Sequence, residues 1–179
     1  MPHPNEKRIL VIDLRSRSFG FAVFEGPTRL LDWGVKSFRQ GVNTVKIPAS
    51  PKFAELMDQF SPSTIVVRKE FVESRKKAGM RQALFMQAKE HRIPVRLLSR
   101  RVVKDAFVDS NRNKYTTAAA IVKQLPELAP KLPAVRKIWK SEDYRMSVFD
   151  AAALGVAYFS VRKPAESRGP TPPVRTFPE

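Results

Sequence analysis

No cysteine occurs in the 179 residues, which removes disulfides, thiolate nucleophiles and cysteine-ligated zinc. Histidine is nearly as scarce: His3 and His91 are the only two. A bound metal would therefore be hard and oxygen-ligated, with Mg²⁺ the default and Mn²⁺ its substitute. No apolar run approaches the roughly 18 residues of a membrane span. The opening "MPHPNEKR" has no apolar stretch of the kind a secretory signal needs. The expectation is a cytoplasmic protein with no membrane partner.

Acids are also in short supply. Seventeen Asp and Glu face 33 Lys and Arg, for a net charge of +16. The basic residues run along the whole chain, clustering at "RKEFVESRKK", "HRIPVRLLSRRVVK" and "NRNK". A field of that sign on so many segments attracts polyanions, nucleic acid first. Arg15, Arg17, Arg68, Arg75, Lys76, Lys77 and Arg112 are the candidate phosphate contacts.

What is present reads as one α/β domain. "RILVID" is a buried strand, "FGFAVFE" an alternating second strand, and "RLLDWGVKSF" a third, with short turns between them. Short turns make an antiparallel meander. "RQGVNTVKIPAS" is a loop that ends on Ser50 as a helix cap, with Pro51 in the first helical position. "STIVVRKEF" is a fourth strand, residues 75–91 a helix, and "PVRLLS" a short fifth strand. "RRVVKDAF", "YTTAAAIVKQL" and "RMSVFDAAALGVAYFSV" are three further helices. The small residues of the last suit close packing on a sheet. The order predicts a five-stranded mixed sheet with helices on both faces, over residues 1–161. Residues 162–179, Pro-rich and basic, read as a flexible tail.

Three acids occupy informative places. Asp13 ends the first strand, Glu70 lies at the end of the fourth, and Asp150 interrupts the apolar last helix. If strands one and four are neighbours, Asp13 and Glu70 converge and the helix brings Asp150 in from the side. Clustered carboxylates raise one another's proton affinity unless a cation sits among them. Two divalent ions held there can activate water for phosphodiester cleavage. Asp150 on an apolar helix face needs a metal or an arginine partner. Asp13 alone fits a turn as well as a ligand role.

These pieces, in this order, resemble the RNase H-like superfamily and, within it, the RuvC-type Holliday junction resolvases. The resemblance spans residues 8–160. It is carried by "ILVIDLRSRSFGFAVFE", "IVVRKEF", "IPVRLLSRRVVKDAFVDSNRNKYTTAAAIV" and "FDAAALGVAYF". It implies a homodimer that cleaves branched DNA with Mg²⁺, using Asp13, Glu70 and Asp150 as metal ligands. Lys114, which matches the family's helix-opening lysine, would hold the scissile phosphate. The chain departs from the pattern in three places. Asp13-Leu14-Arg15 stands where the family has Asp-Pro-Gly. Ser147 stands where the last helix has a second acid or histidine; Asp143 shares that helix face but lies about 10 Å from Asp150 at 1.5 Å per residue. An ungapped reading puts Arg68 rather than Glu70 at the place of the acid, with Glu73 a weaker substitute.

The expected function is therefore the first of two readings, with the second as its alternative. The first is a metal-dependent, structure-selective DNA endonuclease; RNA is a variant substrate. The second is a binding module on the same fold, with Arg15 and Arg68 in the space of a cation. Phe71 and Tyr115 are candidates to stack on bases, with core packing the more ordinary role for Phe71.

Overall fold

The computed structural model describes residues 7–37, 50–71, 73–110, 113–137 and 139–162. Arg112, most of the loop "RQGVNTVKIPAS", the side chain of Ser50 and the tail after Arg162 lie outside them. Five strands and five helices follow the expected order: β1 (Arg8–Leu14), β2 (Ser18–Glu25), β3 (Leu30–Ser37), α1 (Ser50–Phe60), β4 (Thr64–Arg68), α2 (Arg75–Glu90), β5 (Val95–Leu98), α3 (Arg100–Ala106), α4 (Lys114–Gln124) and α5 (Met146–Arg162). A 3-10 turn at Pro126–Lys131, which the sequence reading omitted, follows α4. Pro126 and Pro130 supply no backbone N–H, so this segment cannot extend α4.

The strands form one sheet in the order β3-β2-β1-β4-β5. The meander is antiparallel, while β1, β4 and β5 run parallel. Alternation along β1 divides its side chains between two cores. Leu10 and Ile12 pack with Phe53, Leu56 and Met57 of α1 and with Met80, Ala83 and Leu84 of α2. Ile9 and Val11 pack on the other face, against Ala152 and Leu154 of α5 and Ile121 of α4. Among the described residues no helix is long and apolar enough to cross a membrane.

The two faces are built differently. Large rings and long aliphatics separate α1 and α2 from the sheet, with the Phe19 and Phe53 rings 4.6 Å apart. On the other face α5 lies much nearer. A Cβ on Gly20 would meet the Ser147 carbonyl oxygen at 2.2 Å, and one on Gly155 would meet the Phe24 ring at 2.2 Å. Glycine at these two places lets helix and sheet approach to a distance no side chain would allow. That approach brings the start of α5 onto the C-terminal end of β1, where the candidate acids lie.

Candidate functional site

Asp13 is on the α5 face because it keeps the parity of Ile9 and Val11. It is only 4% exposed, and its strand partner across β2 is Gly20. Asp150, two positions past the buried Val148, reaches the same point from the helix. The two carboxylates do not face each other unscreened. Arg15 leaves the strand end and turns back between them. Its Nε donates to Asp13 Oδ2 at 2.7 Å and its Nη2 to Asp150 Oδ2 at 2.5 Å. Its Nη1 donates to Glu142 Oε1 at 3.1 Å. One guanidinium thus serves three carboxylates, a use of its planar fork that a point charge could not match.

Two more cations close the cluster. Lys114 Nζ donates to both oxygens of Glu142 at 2.9 Å and to Asp150 Oδ2 at 3.2 Å. Arg68 Nη2 lies 3.8 Å from Asp150 Oδ1 and 4.0 Å from Asp13 Oδ1. Ser147 Oγ donates to Asp13 Oδ2 at 3.1 Å. Three carboxylates, Asp13, Asp150 and Glu142, are met by three cations, Arg15, Arg68 and Lys114. One donor is left over: Arg68 Nε is buried and has no hydrogen-bond partner.

The electrostatics follow from this arrangement. Burial pushes the Asp150 carboxyl above its ordinary range, the Asp13 charge adds to that, and Lys114, Arg68 and Arg15 pull the other way. Burial alone would raise Glu142 too, but Lys114 and Arg15 hold it below the ordinary value. Arg15 loses hydration on burial, yet Asp13, Asp150 and Glu142 more than compensate, so its proton is held more tightly than an ordinary arginine's.

Strand register decides which side chain of this segment, Arg68 or Glu70, stands level with Asp13. Ile12 pairs with Val67, so the residue level with Asp13 is Arg68. Glu70 lies beyond the strand, where Lys77 Nζ donates to its Oε1 at 2.5 Å. Glu73 pairs with Arg81 at 3.0 Å. Asp143 precedes α5 instead of sharing its face, and Arg145 holds it at 2.7 Å. Of the proposed ligands, then, Asp13 and Asp150 come together and Glu70 is engaged elsewhere. Lys114 opens α4 as expected and reaches Asp150. The arginine partner considered for Asp150 is present. Glu142 was missed: it sits outside any helix or strand, in "SEDYR", where no periodicity marks it.

Phe71 corrects an expectation. It is 88% exposed rather than packed in the core, with Lys69 Nζ 5.4 Å from its ring centre. Tyr115 is half-buried near the start of α4. Arg17, Arg75 and Lys76 are exposed. Arg17 sits on the β1–β2 turn, while Arg75 and Lys76 open α2 just after β4, so all three share the sheet end that carries Asp13. The C-terminal ends of parallel strands are where open α/β sheets receive ligands.

A two-metal centre needs carboxylate oxygens open to the ions. Here Asp13 Oδ2 already accepts from Arg15 and Ser147, and Asp150 Oδ2 from Arg15 and Lys114, while the Oδ1 atoms face the Arg68 Nη2 at 4.0 and 3.8 Å. Among the described residues no three acids or histidines are grouped to hold a metal ion. A divalent ion at this point would stand beside two arginines and a lysine, so the residues do not fit a Mg²⁺ pair.

No protein-family model and no curated protein matches the sequence. Solved structures do match. The Thermus thermophilus RuvC in complex with Holliday junction substrate is 19% identical, with a TM-score of 0.66, over 87% of this chain and 95% of that one. A second Thermus thermophilus RuvC structure is 20% identical with a TM-score of 0.64, over 87% and 95% of the two chains. The fowlpox virus Holliday junction resolvase is 12% identical with a TM-score of 0.56, over 86% and 99%. These likenesses concern the path of the chain over nearly its whole length: the protein has the RuvC-type, RNase H-like fold.

Proposed function

We propose that this chain binds branched DNA, recognising the shape of its sugar–phosphate backbone, and that Arg15 takes the place a metal ion would hold in a nuclease of this fold. The observation that carries the reading is the Arg15 guanidinium bonded at once to Asp13 and Asp150. It neutralises the acids that would otherwise repel DNA, and it does so without a metal. Around it, Arg17, Arg68, Arg75, Lys76 and Lys114 give the sheet end the sign that backbone recognition needs. The net charge of +16 supplies sequence-independent attraction that weakens with salt. The resolvases of similar fold, two of them solved on a Holliday junction, make a four-way junction the first ligand to try. With it goes the homodimer that the sequence's resemblance to RuvC-type resolvases implies, which would set two such sites on one junction.

A second reading is Mg²⁺- or Mn²⁺-dependent cleavage of branched DNA. It is favoured by Asp13 and Asp150 meeting at one point, because a chain with no catalytic past has little reason to bury two acids together. One experiment separates the readings. Labelled four-way junction, linear duplex and an RNA junction are incubated with the protein in Mg²⁺, Mn²⁺ or EDTA, beside Asp13→Asn and Asp150→Asn. Preferential binding of the DNA junction in all three conditions, with no cutting, supports the binding reading. Symmetric, metal-dependent cutting that both substitutions abolish would overturn it in favour of the nuclease.

A further inference from the structure

We propose that the cleft beside the Arg15 cluster takes a single unpaired nucleotide of branched DNA, base inward and phosphate at the rim. The proposal rests on the DNA-binding reading above and specifies what part of the branched substrate the protein reads. The cleft lies between the end of β4 and helices α3, α4 and α5, and has a volume of about 780 Å³. That is the size of a pocket for a small organic ligand, and ample for one nucleotide. One wall is α3, only seven residues long, which packs on the core through Val103 and Ala106 without fully burying any residue.

The floor and the rim differ in chemistry. Phe107, Ile121, Phe149 and Ala153 form an apolar floor, each at most 4% exposed. Arg68, Arg100 and Lys114 stand at the wall, with Asp150 where the cleft meets the ion cluster. The apolar floor suits the hydrophobic body of a base, and the ring face open for stacking on the same lining is that of Phe71, 88% exposed. Cations at the mouth suit the phosphate attached to it. The Arg68 side chain is 23% exposed and its Nη2 comes no closer than 3.8 Å to Asp150 and 4.0 Å to Asp13, so it keeps a donor for a phosphate on this wall. Branch points also supply the ligand cheaply: a nucleotide there has already lost part of its stacking, and extrusion costs least for such a base.

The test uses the full chain and a four-way junction carrying 2-aminopurine at the branch point or, as a control, within one arm. Binding should raise branch-point fluorescence at least threefold and leave the arm probe unchanged. Val103→Trp, which projects a ring into the cleft from α3, should abolish the rise while keeping its thermal midpoint and its affinity for linear duplex. Arg100→Ala, at the exposed rim, serves if the tryptophan variant fails to fold; it should weaken junction binding severalfold more than duplex binding. Tight junction binding with no fluorescence change, or a change untouched by either variant, overturns the nucleotide site and leaves the binding reading intact. Free 2-aminopurine deoxyribonucleoside monophosphate that binds as tightly as the junction would also overturn it, by making the cleft a mononucleotide site. No binding to any DNA would instead overturn the reading on which the proposal rests.

Discussion

The β1–β2 pair carries a buried acid at each end, and the two are held in contrasting ways. At one end Glu25, 6% exposed, accepts from Arg8 at 3.0 Å and from Arg29 at 2.8 Å. Arg8 is the strand partner of Glu25 and Arg29 lies four residues beyond it, and their side chains are 44% and 59% exposed. At the other end Asp13 is met by Arg15 of the β1–β2 turn, Arg68 of β4 and Ser147 of α5, and Lys114 of α4 and Glu142 of the segment before α5 join the same cluster through Asp150 and Arg15. The first arrangement is a strand-end clamp that local geometry can build. The second exists only once the fold is complete, and it gathers three acids where one would satisfy the arginine. Burying extra charge is poor economy for stability alone. Such concentration at the C-terminal ends of parallel strands is what a ligand site, present or past, looks like.

The largest effect should come from the contact that makes the second end possible. Gly20→Ala sets a Cβ against the Ser147 carbonyl, a backbone atom that cannot rotate away. We expect a loss of more than about 3 kcal/mol in denaturant unfolding, beyond ordinary overpacking, and loss of junction binding with it. Next comes Arg15→Ala, which leaves Asp13 and Asp150 buried together. Breaking a buried pair costs about 3–5 kcal/mol; one third of the Arg15 side chain is exposed, so about 2–3 kcal/mol is expected at neutral pH. The deficit should shrink in acid. A carboxyl raised in the folded state, as Asp150 is, binds its proton more readily there than in the unfolded chain, so its contribution falls as pH rises past the ordinary 3.8 and recovers as pH drops. Melting curves from neutral pH to pH 4 check this.

Glu25→Gln sharpens the comparison from the other end. It should cost about 1–2 kcal/mol, the scale of a lost charged hydrogen bond to exposed partners, and leave junction affinity unchanged in a binding titration. The smallest stability effect belongs to Glu142→Gln, under about 1 kcal/mol for a partly exposed pair. Its pH signature is opposite in sign to that of Asp150. Glu142 is depressed below its ordinary 4.5, so the stability it contributes is present above that value and lost as pH falls below it. Junction affinity should rise a few-fold in this variant, because Arg15 and Lys114 are released from a competing anion. Unchanged or weaker affinity would show that Glu142 does not compete with phosphate.

Much of this was legible in the chain itself. β-branched and apolar runs with short turns fixed the meander, and the small residues of "FDAAALGVAYF" foretold a helix close to the sheet. Asp150 announced itself by interrupting an apolar face. The register of β4 was not legible: Arg68 and Glu70 have the same strand parity, and only the Ile12–Val67 pairing places Arg68 level with Asp13. Glu142 carried no pattern, because a loop acid gains meaning only from what the fold sets against it. Phe71 looked like core, yet the strand ends at Arg68 and leaves the ring in solvent. Sequence periodicity reports which face a residue takes within an element; it says little about residues just past the element's end.

The central claim is that Arg15 stands in for a metal, and a Mg²⁺ titration followed by thermal unfolding tests it most directly. The wild-type midpoint should not move with millimolar Mg²⁺, while that of Arg15→Ala should rise, because two carboxylates without their guanidinium gain from a bound cation. A wild-type midpoint that rises with Mg²⁺, and no longer does so in Asp13→Asn and Asp150→Asn, would contradict the account and return the site to metal-dependent chemistry.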